Sequence, residues 1–91
     1  MPKGLQISHL DNVAVVLEDV KNGQEVLINS DGNVTIIQAC SDIPFGHKIA
    51  IYDIEADDSI MKYGEEIGKA KVKIFCGEWI HLQNVYCERG R

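Results

Sequence analysis

The sequence has few basic residues, only 2 prolines and no long hydrophobic run. Lys and Arg together number 9 against 14 Asp and Glu, which gives a formal net charge of −5. Because phosphates and anionic lipids are bound by clustered Lys and Arg, this balance argues against nucleic acid and membrane surfaces as partners. The chain also lacks the roughly 20 apolar residues of a membrane span and the apolar core of a signal peptide. We therefore expect a cytoplasmic protein.

Cysteines are few and lack the spacing of a metal site. Cys40, Cys76 and Cys87 form no C-x-x-C pair, whereas structural zinc takes four N or S ligands, usually in closely spaced pairs. In a cytoplasmic chain, reduced and buried or incidental thiols are favoured over zinc ligands.

The residues that are present indicate one small globular domain. The chain has 91 residues, of which 45% are hydrophobic and 25% charged, an ordinary composition for a folded protein. A chain of this length has room for one thin core and little room for a deep active site of its own. We predict a single domain over residues 1–91 with its core at residues 10–85.

Short apolar segments rich in β-branched residues alternate with clusters of Gly, Asn and Asp. Turn signals recur every 8–12 residues or so, a spacing typical of an all-β barrel or sandwich. The first eleven residues are interpreted as a lead-in, and helix is limited to one turn near residues 65–69. The predicted strands comprise residues 12–17, 26–28, 34–37, 48–52, 59–63, 70–74 and 79–82.

A short pattern recurs four times along the chain. Ile or Val is followed, after five intervening residues, by another Ile or Val, and three of the four spacers contain Gly. Each unit predicts a tight bend between two aliphatic side chains that return to the core. The four pairs are Val20–Val26, Ile43–Ile49, Ile54–Ile60 and Ile74–Ile80.

Two polar segments next to glycines carry candidate functional residues. Gly46-His47-Lys48 lies at a predicted bend and offers one titratable and one fixed positive group, a pair suited to binding a carboxylate. Lys62-Tyr63-Gly64 offers two hydrogen-bond donors to an anion, although the phosphate-loop pattern is absent. The alternative explanation is a turn glycine followed by two exposed polar residues for the first segment, and a strand end followed by a polar loop for the second.

A third segment, residues 79–84, alternates in a way that predicts a strand. Trp79, His81 and Gln83 would then share one face, which resembles a contact surface. As a metal site it is short of ligands, because only His81 is a strong one. No Ser/His/Asp or Cys/His arrangement has a recognisable local context.

Taken in order, these segments resemble one known family. The sequence has G-H-K at 46–48, K-Y-G-E-E-I-G at 62–68 and G-E-W-I-H-L-Q-N at 77–84. This combination resembles the small N-terminal SAF domain of altronate and galactarate dehydratases. The resemblance implies a barrel-like β-clip fold of short strands, with the candidate residues at one functional edge. It implies catalytic roles for His47 and His81, and substrate-binding roles for Lys48, Lys62, Tyr63 and Asn84.

The function implied by the resemblance is that of a lyase subunit. Family members remove water from an aldonate or aldarate to give a 2-keto-3-deoxy acid, and the domain is usually fused to a much larger catalytic domain. Because this chain ends at Arg91, just after the motif, we expect a separate small subunit that is inactive without its large partner. The family is associated with iron or manganese, whose ligands we expect mainly on the large subunit. A homo-oligomer is left open.

One position departs from the family pattern. Relatives typically end the third motif with His-x-His-Asn, whereas this chain has His81-Leu82-Gln83-Asn84. Because an amide cannot act as an acid or a base, Gln83 indicates altered substrate use or lost chemistry. Two alternatives to the dehydratase subunit therefore stay open. One is the small subunit of a sulfolactate sulfo-lyase, and the other is a non-catalytic module that binds carboxylated sugars or a protein.

Overall fold

The protein folds into two β-sheets of short strands, as seen in a computed structural model that describes residues 1–87. The all-β prediction is confirmed: no helix occurs in this range, and hence none that is able to cross a membrane. The strands are β1 (Lys3–Leu5), β2 (Val13–Val16), β3 (Glu25–Ser30), β4 (Asn33–Gln38), β5 (Lys48–Ala50), β6 (Ser59–Lys62), β7 (Glu65–Ala70), β8 (Trp79–Ile80) and β9 (Val85–Tyr86).

The larger sheet has six strands in the order β4-β3-β1-β2-β5-β8, and the smaller has three in the order β6-β7-β9. Neighbouring strands are antiparallel except β1 and β3, which run parallel. Two core clusters lie on opposite faces of the β2-β5-β8 part of the larger sheet. Successive residues alternate between them, so Ala14 and Ile49 pack in the first cluster, and Val13 and Ala50 in the second.

The four predicted bends are present, and all eight of their aliphatic residues are buried. The bends join in two pairs: Val20 and Ile43 exchange two backbone hydrogen bonds of 2.8 Å, and so do Ile54 and Ile74. Each bend contains a β-turn whose third residue has a positive φ, at Gly23, Gly46, Asp57 and Gly77.

Aspartates tie the first pair of bends together. Asp19 accepts a hydrogen bond from the backbone N–H of Phe45, and Asp42 accepts one from that of Asn22, both at 2.8 Å. In the second pair, Asp53 accepts the equivalent hydrogen bond from the backbone N–H of Cys76. In three of the four turns, a carboxylate from the paired bend therefore accepts from the N–H of the second turn residue, which the turn itself leaves unpaired.

Two local predictions, for the first eleven residues and for residues 65–69, were wrong. The first eleven residues are not merely a lead-in, because β1 lies in the middle of the larger sheet between β3 and β2. Residues 65–69 form most of β7 rather than a helical turn, because pairing with β6 overrides their weak strand propensity. Position 68 of β7 needs a glycine, because β9 packs closely against it. A Cβ at Gly68 would lie only 2.8 Å from Val85 Cγ1 and 2.9 Å from the Tyr86 carbonyl oxygen.

The alternating segment at residues 70–74 is a bend, not a strand. β7 ends at Ala70, and Val72 is exposed, whereas a strand with this alternation of polar and apolar residues would bury its apolar face. Ile74 still reaches the core through its bridge to Ile54. Alternation alone therefore misjudged this segment, because its backbone partners lie in another bend rather than on a neighbouring strand.

Candidate functional site

Two turns bring three aromatic rings together at the end of the larger sheet. β5 begins directly after the bend at Gly46, and β8 ends directly before a turn at His81, so His47 and His81 flank paired strands. Their ring centroids lie 5.1 Å apart. Trp79 completes the group, stacked on His81 at 5.0 Å with 5° between the ring planes, and edge-on to His47 at 5.5 Å. We call these three residues the ring cluster.

A hydrogen bond within the ring cluster fixes the tautomer of His47. The indole N–H of Trp79 donates to His47 Nδ1 at 3.1 Å. A neutral imidazole that accepts at Nδ1 carries its proton on Nε2, so His47 presents an N–H donor away from the tryptophan. Within residues 1–87, the ring nitrogens of His81 make no hydrogen bond to the protein. Both histidines are half-buried and keep one side in solvent.

The turn that carries His81 is held by Asn84. Its side-chain oxygen accepts from the backbone N–H of His81 at 3.0 Å, and its amide N–H donates to the carbonyl of Trp79 at 2.8 Å. The side chain is only 5% exposed. Asn84 thus shapes the backbone under the ring cluster, and its amide faces the protein rather than solvent.

The predicted strand over residues 79–82 stops at Ile80, which was not expected. Residues 81–84 form a β-turn closed by a hydrogen bond from Asn84 N–H to the His81 carbonyl, 3.1 Å long. The exposed Gln83 donates to the Trp79 carbonyl at 3.3 Å instead of lying beside His81 in a strand row. The expected common face of Trp79, His81 and Gln83 is therefore wrong for Gln83.

The predicted basic residues form a second group. Burial and the charge of Lys62 lower the pKa of Lys48, in that order of importance. Lys62 Nζ lies 4.8 Å from the ring centroid of Tyr63, at the hairpin turn between β6 and β7. Lys48 stands opposite Ile80, which packs in the second core cluster, whereas Trp79 packs against the first. The lysines and the ring cluster therefore lie on opposite faces of the β5-β8 pair.

Sequence reasoning missed the residues that hold the Tyr63 turn. Tyr63 and Gly64 both have a positive φ, at 57° and 77°, as a two-residue hairpin turn requires. The buried carboxylate of Asp11 accepts a hydrogen bond of 2.8 Å from the Gly64 N–H and one of 3.0 Å from the Ser8 N–H. No local pattern marks the contact of Asp11 with the Tyr63 turn, because Gly64 lies 53 residues away.

Trp79 also lines a cleft of about 290 Å³. Asp19 and Asp42 line it together with Lys21 and Pro44. Two carboxylates in its wall make this cleft a poor site for an anionic substrate.

The residues present do not fit a metal ion. Across residues 1–87 no group of three or more His, Cys, Asp or Glu side chains is arranged to hold one. Cys40, Cys76 and Cys87 are all free thiols. Burial, followed by the charges of Asp53 and Cys40, raises the pKa of Cys76.

The fold and the ring cluster define a small all-β domain that displays two histidines at one end of a sheet. A family model described as the altronate/galactarate dehydratase SAF domain matches residues 2–88. The chain therefore belongs to the SAF domain family of altronate and galactarate dehydratases.

Individual relatives are of two kinds. The chain is 39% identical over 84 residues to the altronate dehydratase of Bacillus subtilis (strain 168), covering 92% of this chain and 16% of the relative. It is 40% identical over 80 residues to the altronate dehydratase of Escherichia coli (strain K12), covering 88% of this chain and 15% of that relative. It is 34% identical over 77 residues to subunit alpha of the (2R)-sulfolactate sulfo-lyase of Chromohalobacter salexigens, covering 82% of each chain. The chain thus spans about a sixth of the altronate dehydratases but most of the sulfo-lyase subunit.

Proposed function

We propose that this chain is the small subunit of an altronate-type sugar-acid dehydratase and acts in the cytoplasm with a separate large catalytic subunit. The observation that carries the proposal is the ring cluster on a domain of this family. The altronate dehydratases consist mostly of sequence beyond the region matched by this chain, and another relative is named as a subunit. Both facts support a partner that supplies the rest of the active site.

His47 and His81 act on the substrate in this proposal. Dehydration of a sugar acid takes a proton from the carbon beside the carboxylate and returns one to the leaving hydroxyl group. Imidazole suits either transfer near neutral pH. His47 offers its Nε2–H as a donor because Trp79 holds Nδ1. His81, stacked on the same indole, is positioned to exchange a proton at either nitrogen.

The other predicted site residues receive different roles. Lys48 and Lys62 lie on the opposite face of the β5-β8 pair, where their charges attract anions but do not contact a substrate held at the ring cluster, and Tyr63 is a neutral hydrogen-bond donor beside Lys62. Asn84 is a positioning residue, since both ends of its amide bond the backbone of the turn. Because residues 1–87 do not fit a metal, any iron or manganese belongs to the large subunit in this proposal.

The test is reconstitution with a candidate large subunit encoded beside this chain. The two chains should co-purify, and only the complex should turn over altronate or galactarate. His81→Ala should lower kcat, measured at a saturating concentration of the small subunit. The expected loss of transition-state stabilisation is about 1–4 kcal/mol, the range for one lost general acid, general base or hydrogen-bond donor. Leu82→Ala is the matched control, because Leu82 is 74% exposed in the same turn and its side chain has no polar group. Weaker assembly of His81→Ala with an unchanged kcat would leave the ring cluster a structural role only.

A sulfo-lyase small subunit is the second candidate, favoured by the 82% coverage of the Chromohalobacter salexigens subunit. Including (2R)-sulfolactate in the substrate panel separates the two candidates directly. Substrate binding or partner binding without turnover of any of these acids would instead identify a non-catalytic binding module.

A further inference from the structure

The open edges of the two sheets are protected to different degrees. Asn12 covers the edge of β6, since its side chain accepts from the Met61 N–H at 2.8 Å and donates to the Ser59 carbonyl at 2.9 Å. β8 and β9 have only two residues each, and the Trp79 N–H donates to Ser41 Oγ at 3.0 Å. β4 is six residues long and, within the described part of the chain, pairs with β3 alone.

β4 also lacks the features that normally prevent an edge strand from pairing. Proteins protect such strands with charged side chains, proline or bulges. Asn33–Gln38 contains no charged residue and no proline, four of its six residues are β-branched, and its register with β3 is unbroken. Val34 and Ile36 are 55% and 50% exposed.

The exposed apolar surface of β4 continues into the sheet only at Leu27 and Leu5, between Asn29 and Lys3 of the same face. Ile36 stands opposite the half-buried Leu27, and Leu5 of β1 reaches solvent on the same face. An added strand beside β4 would extend this surface as well as the hydrogen-bonded ladder.

We propose that β4 pairs antiparallel with β4 of a second copy, which joins the two six-stranded sheets across a two-fold axis. An axis at Thr35 places Val34 of each copy opposite Ile36 of the other, with both pairs on one face. This register puts no like charges opposite each other, because the strand is uncharged. The contact therefore avoids local repulsion although each chain carries a net charge of −5.

The dimer should be weak and closed. The open edge of β4 is shorter than the strand, because Gly77 lies against the carbonyl of Gln38 at its end. Such an edge buries less than the roughly 800 Å² per partner of a stable interface, so dissociation in the micromolar range or above is expected. Because each copy uses the same edge, pairing ends at two copies.

Sedimentation equilibrium over a wide concentration range tests the proposal on the full chain. The unmodified protein should pass from monomer to dimer, and NMR signals that shift on dilution should cluster at residues 33–38. Ile36→Lys should raise the dissociation constant about tenfold or more, because a charge would then lie against the partner's apolar side chains. Val72→Lys is the control, since Val72 is similarly exposed but lies in the bend after β7.

Four outcomes would overturn the pairing. The protein could remain a monomer at every concentration, or it could associate equally well after Ile36→Lys. It could also grow beyond two copies. Finally, the chain could be monomeric alone and need Ile36 to bind the large subunit. The last result would assign the edge to the partner and leave the proposed enzymatic function intact.

Discussion

At the scale of single residues, hydrogen-bond partners decide what each candidate side chain can do. His47 and Asn84 both look like surface polar residues in the sequence, yet both are bonded to Trp79. The His47 ring accepts from the Trp79 indole N–H, and the Asn84 side chain donates to the Trp79 backbone carbonyl. Trp79 therefore couples the orientation of His47 to the turn that carries His81.

Trp79→Phe should release the tautomer of His47. Phenylalanine keeps an aromatic ring in the cluster but removes the indole N–H that donates to Nδ1. The proton should then distribute over both ring nitrogens, which the ¹⁵N shifts of His47 report at high pH, where imidazole is neutral. Tyr52→Phe, at an exposed position, should leave these shifts unchanged. An unaltered His47 pattern in Trp79→Phe would contradict the assignment.

Asn84→Ala should destabilise the protein by about 1–3 kcal/mol. The substitution removes the acceptor of the His81 N–H and one donor to the Trp79 carbonyl, and a buried polar group without a partner costs this much. Gln83→Ala should change the free energy of unfolding by about 0.5 kcal/mol or less, because Gln83 is exposed and makes one long bond. Urea unfolding of both variants makes the measurement, and equal losses would argue against the special role of Asn84.

At the scale of elements, the repeated bend is the unit from which the domain is built. Its two aliphatic ends are buried, its third turn residue has a positive φ, and neighbouring bends exchange backbone hydrogen bonds. The sequence pattern predicted the bends because burial of both aliphatic ends is a local requirement. It did not predict which bends pair, since Val20 and Ile43 belong to different units.

Gly77→Ala should be much more costly than Gly46→Ala. Both glycines have a positive φ, 97° and 84°, so each substitution meets backbone strain of about 1–2 kcal/mol. A Cβ at Gly77 would also lie 2.1 Å from the Gln38 carbonyl oxygen, whereas a Cβ at Gly46 has no neighbour within 4 Å. We expect a loss at Gly77 that exceeds the loss at Gly46 by at least about 1 kcal/mol. Thermal unfolding compares the two variants, and similar melting temperatures would refute the clash.

At the scale of the whole molecule, one layer of strands serves two cores. β2 and β5 send alternate side chains into the two clusters, so neither cluster can be exposed without exposing one face of the same strands. A domain arranged in this way should unfold as a single unit.

Ile43→Ala and Ile74→Ala test this coupling, because each residue is fully buried in a different cluster. Each variant should lose about 2–5 kcal/mol of stability, the usual cost of an Ile-to-Ala cavity. Trp79 fluorescence reports on the first cluster, and the NMR signals of Ala70 report on the second. Both probes should show one coincident transition in each variant. Two separated transitions would mean that the cores unfold independently.

The sequence by itself determined the all-β class, the four bends, and the resemblance that pointed to His47 and His81. These features depend on residues close together in the chain, through β-branched segments, turn glycines and short motifs. The tertiary structure alone decided that Trp79 fixes the tautomer of His47, that Lys48 faces away from the ring cluster, and that β1 lies inside the sheet. Each of these depends on strand pairing between segments far apart in sequence, and one residue of register changes the face on which a side chain lies.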